Sequence, residues 1–127
     1  METNSHAKII GDRGEKIAAE FLAKKKYEIV TLQYRYKNGE LDIVARTNGI
    51  LVFVEVKTVD LTKYPTSPYG EPETWLTVKK QKFMRQCANH YLWKKNITGV
   101  DCRFDFITVR LYPDREEVNH IENAFWM

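Results

Sequence analysis

Four side chains in residues 39–58, GELDIVARTNGILVFVEVKT, are out of keeping with a hydrophobic hairpin: Glu40 and Asp42 on one arm, Glu55 and Lys57 on the other. Charged residues avoid such strands unless they are paired, bind a metal or do chemistry. Side chains alternate along a strand, so Glu55 and Lys57 share one face, their Cα atoms roughly 7 Å apart, and Glu40 and Asp42 likewise share a face of the partner arm. A tight turn at Thr47-Asn48-Gly49 makes the arms adjacent and antiparallel, which sets Asp42 and Glu55 at the same end of the hairpin. Two carboxylates converging with a backbone carbonyl form a hard-oxygen site suited to Mg²⁺ or Mn²⁺. A lysine two residues beyond one ligand can position or deprotonate a water, and the set is equipment for hydrolysing a phosphodiester. A cross-strand ion pair of Lys57 with Asp42 or Glu55 fits the same spacing.

The elements that must position these groups are legible from periodicity. Residues 8–26 read as a helix, with Ile10, Gly14, Ile17, Ala18, Phe21 and Leu22 at helical spacing and Lys24 to Lys26 suiting its C-terminal end. On that helix Glu15 flanks the apolar stripe and leans towards the sheet, where it would complete a metal shell directly or through water; an ordinary boundary glutamate is the plain alternative. Residues 27–36, 40–46 and 50–58 read as three strands joined by Asn-Gly turns. The segment 60–72 carries three prolines and a glycine and reads as a long loop. A second helix is expected over 77–95, with Met84, Cys87, Ala88, Tyr91 and Leu92 inward, and two more strands near 102–111 and 117–123 around a Pro113-Asp114 turn. The order α-β-β-β-α-β-β predicts an α/β fold, a mixed β-sheet flanked by α-helices, and 127 residues suit a single domain spanning 1–127.

Bulk composition narrows the function classes. The chain is 43% hydrophobic and 29% charged, as in ordinary globular proteins, and holds no apolar run long enough for a membrane span. The N-terminal stretch lacks the apolar segment of a secretory signal. Cys87 and Cys102 have neither metal-ligand spacing nor a disulfide framework, so a reducing, cytoplasmic location without membrane association is expected. The net charge of +3 is small, but its distribution is uneven. Residues 77–95 hold Lys79, Lys80, Lys82, Arg85, Lys94 and Lys95 without one acid, and residues 24–37 add Arg35 and Lys37 to the helix-end lysines. Such stretches can neutralise phosphates, although solvated helix faces have the same composition.

The segments GEKIAAEFL, RYKNGELD, FVEVK, YGEP, RFD and HIENAF, in this order, resemble the YraN-type bacterial family over nearly the whole chain, from about Gly11 to Phe125. That family is placed in the restriction-endonuclease-like superfamily, close to Holliday-junction resolvases. The resemblance implies a PD-(D/E)XK nuclease core with Asp42 as the motif aspartate and Glu55-Val56-Lys57 as the (D/E)XK element. It further implies Glu15 as the first-helix glutamate and Gln81 as the second-helix polar residue. Three positions depart from the family pattern: Lys26 stands where Gly is usual, Gln33 where Asn is common, and Val59 where Arg is usual.

The expectation is thus a metal-dependent DNA endonuclease. Asp42, Glu55, the Val56 carbonyl and Glu15 would hold Mg²⁺ or Mn²⁺, with Lys57 and Gln81 completing the catalytic set. Lys79, Lys82, Arg35 and Arg85 would hold the DNA backbone without reading sequence. A homodimer would supply two sites for cutting two strands symmetrically. The rivals are a catalytically weak nucleic-acid-binding module of the same fold that acts with a partner, and a structural interaction domain in which Lys57 merely pairs with the carboxylates. His120, His90 and His6 read as structural rather than ligands. Trp75, Tyr64 and Tyr69 read as loop packing, with base stacking as the alternative.

Overall fold

A computed structural model describes residues 2–63 and 70–127, with side chains from His6 onward. Tyr64 and Tyr69, considered above for base stacking, lie outside the described residues. The elements run α1 (Glu2–Lys24), β1 (Glu28–Tyr36), β2 (Gly39–Thr47), β3 (Ile50–Asp60), a 3-10 turn (Pro72–Thr74), α2 (Val78–Lys94), β4 (Cys102–Leu111) and β5 (Glu116–Phe125). The α-β-β-β-α-β-β order is the expected one. The first helix begins earlier than its apolar periodicity does, at Glu2 rather than residue 8.

The five strands form one sheet in sequence order, β1-β2-β3-β4-β5. Hairpins make β1-β2, β2-β3 and β4-β5 antiparallel, while β3 and β4 are parallel with α2 as the crossover between them. One helix covers each face. Ala18 and Leu22 of α1 pack with Ile43, Ala45, Val52, Val54, Ile107 and Val109. Met84, Cys87, Ala88 and Tyr91 of α2 pack on the other side with Val44, Leu51, Phe53 and Phe104. Because both faces are covered, β3 reads as an almost unbroken apolar run up to Val54.

Two glycines set how closely the helices approach. A Cβ on Gly14 of α1 would stand 1.7 Å from Thr58 Oγ1, and one on Gly39 at the start of β2 would stand 2.5 Å from the Phe83 carbonyl oxygen of α2. Each helix therefore touches the sheet near the end where Asp42 and Glu55 lie.

Helix α1 closes in a Schellman turn: the N–H of Tyr27 donates to Leu22 O and that of Lys26 to Ala23 O, both at 3.0 Å. This leaves Lys26 in the left-handed region at φ 73, the conformation that explains why glycine is usual there. Helix α2 ends in the same way, with Asn96 at φ 56 and Ile97 N–H on Leu92 O. Lys26→Gly removes the Cβ clash of the left-handed residue and is expected to stabilise the protein by about 1 kcal/mol. A rise in the urea midpoint with an unchanged slope checks it.

Candidate metal centre at a parting of two strands

The β2-β3 ladder runs from Thr47↔Ile50 to Ile43↔Val54 and stops one residue short of Asp42 and Glu55. Beyond that point the Asp42 carboxylate takes over: its Oδ2 accepts the Val56 N–H at 2.7 Å. A strand residue turns its N–H and C=O to the same side, so the Val56 carbonyl also faces the gap. The side-chain alternation of β2 breaks here, since Leu41 belongs to the α2-side cluster and Ile43, two residues on, to the α1-side cluster. On β1 the residue opposite is Gln33, between the pairs Leu32↔Ile43 and Tyr34↔Leu41, and its φ is 54. A glutamine in the left-handed region is strained and asparagine tolerates it better, which accounts for asparagine being the common residue at this position.

The kink aims Gln33 at the first helix: its Nε2 donates to Glu15 Oε1 at 3.0 Å. Burial raises the Glu15 carboxyl above its ordinary value; the negative charges of Glu40, Asp12 and Glu55 add to this, and the Gln33 bond offsets part. Glu15 also lines an open cleft of about 370 Å³ with Gly11, Val56, Lys57 and Asp60. Glu15 approaches the gap from the α1 side. Glu55, in phase with Phe53, faces α2.

Asp42 and Glu55 are 6% and 5% exposed, a buried pair of acids. Burial, the charge of Glu55 and a hydrogen bond shared with it push the Asp42 carboxyl far above its ordinary value; the Val56 N–H pulls the other way without prevailing. The positive charge that meets the pair comes from α2, where Lys80 Nζ stands 2.6 Å from Glu55 Oε2. Burial lowers the Lys80 ammonium's hold on its proton, but the Glu55 carboxylate, with Asp42 and Glu40 behind it, more than compensates, so the net shift is upward. Lys57 makes no such pair: among the described residues no carboxylate lies within ion-pair distance of it, and its Nζ sits 5.3 Å from the centre of the Trp75 ring.

The remaining expected residues are placed as follows. Gln81 bonds its own helix start, with Nε2 donating to Leu76 O at 3.1 Å. Its neighbour Lys80, which sequence reasoning did not single out, is the α2 residue that reaches the acids. The signal available was the N-cap Thr77, whose Oγ1 accepts the Lys80 N–H and sets the phase of the first turn. Lys79 and Lys82 are exposed on α2. Arg35 pairs with Glu40 at 3.4 Å across the β1-β2 hairpin. The Arg85 Nε donates to the Trp126 carbonyl at 2.7 Å and its guanidinium lies over Phe125, so it anchors the C-terminus.

His120 is structural. Its Nε2 is 2.7 Å from Asp105 Oδ2, and its Nδ1 is 2.9 Å from the Lys25 Nζ. Asp105, fully buried, also takes two bonds from Arg103 and the Asn123 N–H. His90 stacks on Tyr36, and the exposed His6 lies 3.7 Å from Asp60.

No group of three or more His, Cys, Asp or Glu at metal-binding spacing occurs among the described residues. The donors that do converge are the two carboxylates Asp42 and Glu55, with the Val56 carbonyl beside them. Two buried acids with one raised proton affinity and a lysine drawn against them call for a cation, and the all-oxygen donor set fits a hard divalent ion. No helix among the described residues is long and apolar enough to cross a membrane, and both cysteines are free.

Among known proteins, the profile described as "Uncharacterised protein family UPF0102" matches residues 14–109. A "UPF0102 protein" of Geobacter sulfurreducens is 42% identical over 125 residues, covering 98% of this chain and 94% of its own. Others from Alkaliphilus oremlandii and Symbiobacterium thermophilum are 39% and 38% identical, covering 93% and 91% of this chain and 98% and 95% of theirs.

The raised Asp42 carboxyl makes stability depend on pH. Without metal, the folded protein keeps a proton that the unfolded chain releases above 3.8, so this contribution is complete below 3.8 and is lost as pH climbs towards the folded value. Asp42→Asn keeps an acceptor for Val56 and a neutral partner for Glu55. It is expected to stabilise the metal-free protein by on the order of 1–2 kcal/mol at about pH 8 and to flatten the decline from about pH 5, read by urea unfolding in chelator.

Proposed function

This chain belongs to the UPF0102 family, and from that footing we propose that it is a metal-dependent DNA endonuclease acting on branched or single-strand-containing DNA. The observation that carries the reading is the buried Asp42-Glu55 pair at the parted strands, with Lys57 two residues beyond Glu55. Asp42, Glu55 and the Val56 carbonyl would hold Mg²⁺ or Mn²⁺, and Glu15 would add a fourth oxygen ligand, direct or through water, from the far side of the gap. When bound, the ion supplies the Lewis acid that polarises a phosphoryl oxygen.

The chain's own groups do the rest. Lys57, in phase with Glu55 on the α2 side of the sheet, would hydrogen-bond the attacking water there and balance the charge that builds at phosphorus. The face of Trp75 steadies that cation. Gln81, bonded to Leu76, keeps the first turn of α2 in phase so that Lys80 meets Glu55. Lys79 and Lys82, on the exposed side of the same turn and the next, hold phosphates without reading bases. Arg35 is free to join them, since a surface pair such as Arg35-Glu40 is weak and yields to a phosphate. The preference for branched DNA rests on the resemblance to resolvases.

Purified protein with Mg²⁺ or Mn²⁺ is expected to cut at least one of linear, flapped, forked and four-way DNA. Glu55→Gln should abolish cutting, and Lys57→Ala should slow it by about 10²–10⁴-fold. Undiminished cutting by Glu55→Gln sinks the mechanism.

The ion pair of Lys80 with Glu55 favours a second reading, a binding module of this fold in which the lysine permanently fills the site. Calorimetric titration with Mn²⁺ separates the two. The endonuclease reading expects binding that tightens in Lys80→Ala, because the competing ammonium is gone. The module expects no metal-binding heat in either protein.

A further inference from the structure

Helix α2 carries no acidic residue, and its exposed side makes a stripe that leads away from the acids. Lys79, Lys82, Gln86, Asn89 and Trp93 recur at spacings of three and four, so they follow one another along one side of the helix. At the far end the stripe meets the turn between β1 and β2. There Tyr36, Lys37, Gln86, Asn89, His90 and Trp93 line an open groove of about 540 Å³, larger than the cleft beside Glu15.

The groove is built from three rings, two amides and the Lys37 ammonium. Tyr36 and His90 stack with ring centres 3.8 Å apart and planes 10° from parallel. Tyr34 Oη lies 2.6 Å from His90 Nδ1 and fixes the imidazole from below. Trp93 stands 5.7 Å from His90 and is 76% exposed, so an indole face at the edge of a rigid aromatic row is bare. Lys37 sits 5.4 Å from the Tyr36 ring, and Lys94 and Lys95 follow Trp93 in sequence. Among the described residues no carboxylate lines the groove. Two amides, an imidazole, an open indole and one lysine suit a flat aromatic ligand that carries a phosphate. Apolar side chains of a protein partner would leave the two amides and Lys37 without partners.

We propose that this groove is a stacking site for an unpaired nucleobase of single-stranded DNA, with Trp93 as the platform and Lys37 on the adjoining phosphate. It rests on the reading of the chain as a DNA-acting protein and gives that reading a substrate class. Lys80 and Trp93 are thirteen positions apart, so Trp93 lies about 20 Å along the helix from the residue that meets the acid pair. A strand that leaves the candidate centre would run over Lys79 and Lys82, along Gln86 and Asn89, and end in the groove. Paired bases cannot offer their faces to Trp93, so the site selects DNA with an unpaired end or arm.

Metal-free protein in chelator is titrated with labelled oligothymidylate and with a blunt duplex of equal phosphate count, by anisotropy. Trp93→Ala, a change at an exposed side chain, is expected to weaken oligothymidylate binding by about 5- to 100-fold and to leave duplex binding within about twofold. Trp93→Phe, which keeps a ring, should retain most of the affinity. The proposal is overturned if Trp93→Ala binds oligothymidylate as the unaltered protein does, if both ligands weaken equally, or if the unaltered protein does not bind the oligomer. Cleavage of forked DNA with Mg²⁺ is scored separately. Cutting without Trp93-dependent binding removes the stacking site alone, whereas Trp93-dependent binding without cutting removes the nuclease centre alone.

Discussion

The hydrogen bond from the Val56 N–H to the Asp42 carboxylate is the interaction on which the site depends. A main-chain donor in the middle of a sheet ordinarily pairs with a main-chain carbonyl of the next strand. Here a side chain stands in for that carbonyl, so the N–H stays satisfied while β2 moves away from β3. The gap makes room for two acids and a carbonyl without leaving any buried side-chain polar atom unpaired among the described residues. Gly14 and Gly39 then allow both helices to close on this end of the sheet, which delivers Glu15 from one face and Lys80 from the other.

The same device recurs across the sheet. The β4-β5 ladder is irregular between Phe104 and Phe106, and the carboxylate of Asp105 takes the N–H of Asn123, itself at φ 54. The two aspartates differ in what surrounds them. Burial alone would raise the Asp105 carboxyl, but His120, Arg103 and the Asn123 N–H outweigh it and bring it below its ordinary value. Asp105 is a finished structural charge. Asp42 faces another acid and is pushed upward, which is what sets a candidate binding site apart from a brace. Further along β4, Arg110 and Thr108 grip Glu73, holding the 3-10 turn down so that Trp75 lies against Lys57.

Most of the architecture was readable from periodicity and turn chemistry. Asn48-Gly49 adopts positive φ at both residues, as a tight hairpin demands, and the inward stripes of both helices are the buried ones. The departures at Lys26 and Gln33 prove to be left-handed positions, each with a backbone reason. Less legible were the partners of long side chains. Lys80 and Gln81 are neighbours on the same turn, and a helical wheel drawn without its N-cap cannot say which reaches Glu55. Arg85 belongs to a basic run, yet its guanidinium is spent on a carbonyl 41 residues away.

Amino-acid order alone was sufficient for the strands, the helices and the pairing of Asp42 with Glu55, because strand alternation and a two-residue turn are local rules. The tertiary structure decided everything that depends on two elements meeting: the break in the ladder at Val56, the kink that ties Gln33 to Glu15, the lysine that answers the acids, and the aromatic row from Tyr36 to Trp93. Those follow from how closely each helix can approach the sheet and from which buried charges must be satisfied. Such distances are set by packing among residues far apart in the chain, and no local pattern records them.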